Sequence, residues 1–174
     1  REMAESPGDS SSLREFRAGG RKTARERISS LLDDGSFVEV DSYVQHRSGD
    51  HNMHLHRPLG DGVVAGHGMI DGRRVVCFAQ DYSVFSGTMG EMHARKVAKV
   101  AEFAEKSQLP IVGIWDGDGQ RVEEGVTSLG ATGELLDILV ACSGRIPMIS
   151  LILGTVSGAV SYTHLRAHET KANL

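Results

Sequence analysis

The sequence predicts an α/β protein in which strands and helices alternate into a stacked β/α architecture, and three observations predict it. Short apolar runs of strand length recur at 75–80, 111–115 and 148–153. Between them the hydrophobic period changes to helical spacing, as helices covering a parallel sheet require. Each run leads into a loop of glycine and other small residues, at 86–90, 116–119 and 154–158, which puts a functional rim at the strand C-termini. The chain has 174 residues, 40% hydrophobic and 24% charged; a domain of that size buries about 70% of its unfolded surface and needs no staple.

Residues 1–20 are polar, Ser/Gly-rich and aperiodic, and predict a flexible N-terminal arm. Thr23-Ala24-Arg25-Glu26 is a capping-box pattern, with Thr at the N-cap and Glu three residues on. It opens a short helix through Ile28, Leu31 and Leu32 that stops before Gly35. Phe37 to Val40 reads as a strand and 45–60 as a polar loop. Two strands follow, 62–70 and 74–80, joined by the hairpin signal Asp71-Gly72. Over 91–106, Ala94, Val97, Ala98, Ala101 and Ala104 share one helical face. Residues 111–115 read as a buried strand, and 130–143 as a helix through Leu135, Leu136, Ile138, Leu139 and Ala141. Residues 148–153 read as a third buried strand of parallel-sheet type. The sum is strand, small-residue loop and helix, three times in succession. The stretch 161–174 is polar and aperiodic and resembles a translated sequencing-adapter read-through; it is expected to be a non-native or disordered tail. Because the chain opens on Arg rather than Met and stops just after a strand-like segment, it is expected to be a piece of a longer protein.

Composition narrows the function. Nineteen Lys and Arg stand against 23 Asp and Glu, so a grip on nucleic acid as the main role is not expected. The longest apolar stretch, 146–153, is too short to cross a bilayer, and no charged-then-apolar leader opens the chain. Cys77 and Cys142 lie inside apolar runs without metal-type spacing, which suits a reduced cytoplasm. The glycine-rich loops match neither phosphate fingerprint: there is no Gly-Lys dipeptide, and Gly117-x-Gly119 is followed at the third place by Val122. Asp116-Gly117-Asp118-Gly119 lacks the calcium-loop residues, having Gln120, Arg121 and Thr127 where Asp/Asn, Gly and Glu are needed. His46, His51, His54 and His56 have no carboxylate or Cys to complete a metal site, and read as a solvated loop. His93, Cys77 and Cys142 read as packing residues. No Ser/His/Asp or Cys/His set stands out. What remains are turns whose backbone N–H groups can hold an anion or a developing oxyanion, or whose glycines serve only tight turning.

Six stretches within residues 20–159 stand out in a fixed order and spacing: KTARERI at 22–28, GSFVE at 35–39, GDGVV at 60–64, FAQDYSVFSG at 78–87, RVEEG at 121–125 and IPMISLILG at 146–154. With them the chain resembles a known family, the biotin-dependent acyl-CoA carboxyltransferases, in particular the β subunit of propionyl-CoA or acetyl-CoA carboxylases. The resemblance implies the leading part of an N-terminal carboxyltransferase domain over 21–160, with an incomplete crotonase-like (ClpP/crotonase) ββα superhelix. It implies transfer of a carboxyl group from carboxybiotin, carried on a partner protein or domain, to the α-carbon of a short acyl-CoA through an enolate. By family position the oxyanion donors are the backbone amides of Gly119-Gln120 and Gly158-Ala159, and the CoA-binding cations are Arg21, Lys22 and Arg25 with Arg73-Arg74 behind them. A solvated basic helix face is the plain alternative for those cations. The family's usual Asp-Ser-Gly-Gly-Ala-Arg stands here as 116–121, DGDGQR, and its Gly-Pro-Cys-Ala-Gly-Gly as 154–159, GTVSGA. Arg121 is expected to brace its loop against Asp116 or Glu124. The implied partners are a biotin carboxylase/biotin carrier α subunit and further copies of the chain, the family forming hexamers, with no metal in this domain. Alternatives are a biotin-dependent acyl-CoA decarboxylase subunit and a non-catalytic CoA-binding or assembly subunit. The chain alone is expected to be inactive and to expose an apolar face.

Overall fold

The computed structural model describes residues 13–14 and 17–158. The sequence-based expectations for 1–12, for Ala159 and for the tail at 161–174 lie outside the described residues. Helix α1 (Ala24–Leu31) begins where the capping box requires: the Glu26 N–H donates to Thr23 Oγ1 and the Thr23 N–H to the Glu26 carboxylate. These bonds hold the Glu26 carboxyl below its usual range, the Thr23 amide contributing most. Strands β1 (Val38–Glu39), β2 (Val63–Ile70) and β3 (Arg73–Gln80) pair antiparallel. The β2–β3 turn has positive φ at both Asp71 and Gly72, the form that matches the strands' twist. Beyond β3 helices and strands alternate, as α2 (Glu91–Ser107), β4 (Ile111–Gly117), α3 (Val126–Cys142) and β5 (Met148–Val156). β3, β4 and β5 run parallel, giving one mixed sheet in the order β1-β2-β3-β4-β5.

The strand period of two sorts the core onto both faces of this sheet. Val76, Phe78, Ile111 and Trp115 face α2 and α3, with Phe78 edge-on to Trp115 at 4.8 Å. Val75, Cys77, Ala79, Val112 and Ile114 face Ile28 and Leu32 at the α1 end. Cys77 and Cys142 are both buried, and burial pushes the Cys77 thiol up to about 12. Among the described residues no helix is long and apolar enough to cross a membrane.

Three expectations change. α3 starts at Val126 rather than Gly130, because Gly125 at φ +57° breaks the chain and Ser128 Oγ donates to the Arg121 and Gly125 carbonyls inside the first turn. β5 is the terminal strand of the described sheet, with Met148, Ile149, Ile152 and Leu153 all exposed, although its run of apolar residues reads as buried. β5 also continues through Gly154-Thr155-Val156, so the third small-residue loop begins at Ser157. Two strand–loop–helix repeats are described, and the helix expected to complete the third lies outside the described residues.

Candidate functional site

The ends of β3, β4 and β5 open onto a common rim, and each loop there is fixed by its own bonds. The Met89 N–H donates to the Gly119 carbonyl at 2.7 Å and the Arg121 N–H to the Met89 carbonyl at 3.0 Å, a short parallel bridge. In such a bridge the intervening residue points its amide away from the partner strand, so the Gln120 N–H faces the opposite side. Gly158 lies on that side. At φ +72°, a Cβ on it would stand 3.7 Å from the Gly119 Cα and 3.9 Å from the Gln120 nitrogen. Gly119 has φ +95°, and a Cβ there would meet Ser157 Oγ at 2.6 Å. The turns at 117–120 and 157–158 therefore lie side by side, with the Ser157 side chain packed against Gly119, and the structure brings Gly119, Gln120 and Gly158 together. Ala159 lies outside the described residues.

The Gln120 side chain turns inward instead: Nε2 donates to the Met89 carbonyl at 3.1 Å and Oε1 accepts from the Thr132 hydroxyl on α3 at 3.1 Å. Arg121 is buried and anchors the turn from behind. It pairs with Asp61 and with Glu124 (2.9 Å), donates to the Thr88 carbonyl at 2.9 Å and stacks on Phe85 at 4.6 Å. Glu124 uses its other oxygen to accept the Glu91 N–H at the start of α2, at 2.6 Å. Arg121 thus braces against Glu124 as expected, but not against Asp116, which is occupied by Arg21 and Arg27. The Asp61 partnership is not apparent from the sequence; the Gly60-Asp61-Gly62 turn, with φ positive at all three residues, is the local feature that aims its carboxylate inward. Burial raises the Asp61 carboxyl and the Arg121 charge opposes that shift. His93 is buried beside them, its N–H donating to Asp61 at 2.9 Å, and burial with the nearby Arg121 and Lys96 charges pushes its imidazole down to about 3. It is a neutral packing residue.

A groove of about 710 Å³ opens beside the rim, along α1. Arg21, Lys22 and Arg25 all line it, with Arg17 and the acidic Glu26 and Asp81. Each cation is also held locally. Arg21 Nη2 donates to Asp116 at 2.6 Å and its guanidinium lies 4.2 Å from the Tyr82 ring. Arg25 pairs with Glu39 at 2.6 Å, and Lys22 Nζ donates to Ser30 Oγ at 3.1 Å. Asp81 carries no motif that marks it in the sequence: it is buried, accepts from the Ser83 N–H and Oγ, and has its carboxyl raised by burial. Arg73 and Arg74, at the start of β3, belong to the opposite end of that strand from Gln80 and Asp81, and do not line the groove.

The histidine loop divides. His51, His54 and His56 are exposed, as a solvated loop requires, but His46 is buried, with Nε2 2.8 Å from the His56 carbonyl and its ring edge-on to Phe85. Its burial follows from that aromatic contact, which spacing within 45–60 does not disclose. Among the described residues no group of three His, Cys, Asp or Glu side chains is placed to hold a metal ion.

A mixed sheet with small-residue turns at the parallel strand ends is the architecture of a crotonase-like fold. The sequence profile of the carboxyl transferase domain matches residues 15–169, and the chain belongs to that family. It is 49% identical over 146 residues to the propionyl-CoA carboxylase beta chain of Saccharopolyspora erythraea, covering 84% of this chain and 27% of that one. It is 47% identical over 163 residues to the biotin-dependent acetyl-/propionyl-coenzyme A carboxylase beta5 subunit of Mycobacterium tuberculosis (strain CDC 1551 / Oshkosh), covering 94% and 30%. Among solved structures it superimposes on the 12S transcarboxylase hexamer with methylmalonyl-coenzyme A and methylmalonic acid bound, at TM-score 0.90 and 35% identity, covering 93% and 32%. The chain therefore spans under a third of the length of these proteins.

Proposed function

We propose that this chain forms the acyl-CoA half of a carboxyl-transfer site, within the carboxyltransferase part of a biotin-dependent acyl-CoA carboxylase. The observation that carries the proposal is the contact of Gly158 with the Gly119-Gln120 turn, on the side that the Gln120 N–H faces. Two amides directed at one point form an oxyanion hole, and each donor aimed at developing charge contributes about 3–4 kcal/mol. The hard step is loss of the α-proton: the C–H electron pair moves into the carbon–carbon bond of the enolate, and negative charge collects on the thioester oxygen. The amides of Gly119-Gln120 and of Gly158-Ala159 hold that oxygen; the enolate carbon would then form its new bond to the carboxyl carbon, whose bond to the carrier's ring nitrogen breaks, and that nitrogen would keep the α-proton. Because the donors are main-chain groups, the Gln, Asp and Ala residues that replace the family's usual ones leave the hole intact.

The groove cations hold the CoA phosphates. Arg21, Lys22 and Arg25 all line the groove, and the planar five-donor guanidinium suits a phosphate. Biotin on its carrier supplies the carboxyl group and the base. The residues of this chain that would face it are Val122 and Val126, left exposed directly after the turn. Those side chains, Leu129 and the open apolar strand β5 are surfaces for the remainder of the protein and a second subunit, so residues 1–174 alone are inactive. The reading implies a cytoplasmic homo-oligomer working with a biotin carboxylase and carrier.

The test uses the complete chain assembled with biotin carboxylase, carrier, ATP, labelled bicarbonate and propionyl-CoA. Acid-stable label in a carboxylated CoA ester is the expected result; CoA binding without transfer would instead make the chain a binding or assembly subunit. The reverse direction is favoured by the methylmalonyl-coenzyme A bound to the structurally similar transcarboxylase and by the 46% identity over 146 residues to the methylmalonyl-CoA decarboxylase subunit alpha of Veillonella parvula. The enolate is common to both directions. A decarboxylase would consume methylmalonyl-CoA without ATP and fix no bicarbonate.

A further inference from the structure

Beneath the two turns lies a carboxylate that this chemistry leaves unused. Asp116, the penultimate residue of β4, is fully buried. Its Oδ1 accepts from Arg21 at 2.6 Å, and its Oδ2 stands 2.7 Å from Arg27 Nη2 as an ion pair without hydrogen-bond alignment. Arg27, itself buried, also reaches the Leu153 carbonyl on β5 at 3.4 Å. On its other side the carboxylate is wedged against Gly154 of β5: a Cβ there would collide with Oδ1 and lie 2.8 Å from Oδ2. The Asp116 N–H donates to Gln80 Oε1 at the end of β3, at 3.1 Å. One side chain therefore ties α1 to the ends of β4 and β5, just ahead of the turns at 117–120 and 157–158. A second route runs from the same groove wall, where Arg21 packs on Tyr82 and the Tyr82 hydroxyl donates to Asp118 at 3.0 Å.

The geometry points to Asp116, gripped by Arg21 and Arg27, as the positioning residue that sets the spacing between the two amide turns and couples it to the CoA groove. This rests on the reading of those turns as the oxyanion site. Asp116 touches no reacting atom; it acts through the backbone of Gly119, Gln120 and Gly158. Loss of its charge leaves Arg27 buried without the carboxylate it pairs with, and loss of its fixed position lets the ends of β4 and β5 move relative to each other. Misplacement of catalytic donors by about 1 Å costs on the order of 100-fold in rate.

The experiment compares Asp116→Asn and Gly154→Ala with the parent in the complete chain assembled with its biotin carboxylase and carrier. It measures kcat and KM for propionyl-CoA, the Kd for CoA itself, and the thermal midpoint. Asp116→Asn is expected to lower kcat by about 10–100-fold, while KM and the CoA Kd change little, because the Asn oxygen can still accept from Arg21 and the Tyr82 ring still packs on it. Gly154→Ala retains every charge and displaces only the carboxylate; it is expected to show the same split. In an Asp116→Ala background, Gly154→Ala is expected to add little, since the methyl then has room. A folded Asp116→Asn with the parent kcat overturns the proposal, as does full additivity of the Gly154 and Asp116 substitutions. If Asp116→Asn fails to fold, Gly154→Ala decides alone, and an unchanged kcat overturns it. A parent that neither binds CoA nor transfers carboxyl groups overturns the reading of the site itself, and the positioning role with it.

Discussion

Gly119 is where the proposed oxyanion role is most exposed to test at the scale of single residues. A methyl group there would press on Ser157 Oγ at 2.6 Å and would have to adopt φ +95°, so Gly119→Ala separates the turns. Its kcat for carboxyl transfer is expected to fall by about 100- to 1,000-fold, with KM for the acyl-CoA little changed, as steady-state kinetics will show. Gln120→Ala keeps the amide and removes only the contacts to Met89 and Thr132; it is expected to leave kcat near the parent value and to alter the preference among acyl chains. His93 gives a prediction of a different kind. In the folded chain its imidazole titrates at about 3, against 6.5 when unfolded. Between those values the unfolded chain takes up a proton that the folded chain refuses, so stability falls as pH falls, at about 1.4 kcal/mol per pH unit from this group. Urea unfolding of His93→Gln across this range is expected to show a shallower acid limb than the parent; parallel limbs would remove His93 from the explanation.

At the scale of elements, α1 joins folding to binding. Its capping box starts the helix, and Arg25 on the helix, with Arg21 and Lys22 just ahead of the cap, lines the groove. Thr23→Ala is expected to cost about 1 kcal/mol in chemical denaturation and to weaken CoA binding in parallel, measured by titration calorimetry. Elements like this one are legible in the sequence because their chemistry is local: Thr23 and Glu26 are three residues apart, and the Asp71-Gly72 hairpin needs only two. The helical face through Ala94, Val97, Ala98, Ala101 and Ala104 is legible for the same reason, and all five are buried. What stays hidden depends on pairing across the fold. The Arg121–Asp61 ion pair spans 60 positions and Arg21–Asp116 spans 95, and each carboxylate has nearer cations in sequence that it does not use. β5 misleads because an apolar run reports that a strand will be covered, not which segment covers it. At the site, the glycine turns are visible as turns, while their contact through Ser157 and Gly158 emerges only when β4 and β5 lie side by side.

At the scale of the whole molecule, charge and exposed surface decide what can be tested. Four basic side chains and two acidic ones line the groove, so CoA affinity is expected to fall as ionic strength rises, and more steeply than the affinity for a pantetheine ester that lacks the 3′-phosphate ADP portion. Exposed Val122, Val126 and Leu129 near the rim, with Met148, Ile149, Ile152 and Leu153 on β5, predict that residues 1–174 alone associate at micromolar concentration in light scattering and show no carboxyl transfer. The complete chain is expected to regain both defined assembly and turnover. The most direct measurement is a crystal structure of that complete protein with an unreactive CoA thioester analogue bound. The oxyanion reading predicts the thioester oxygen about 2.7–3.1 Å from one backbone nitrogen of the 119–120 turn and one of the 158–159 turn, with the CoA phosphates against Arg21, Lys22 and Arg25. A thioester seated elsewhere, or an oxygen held by side chains while these amides bond to protein, would contradict it.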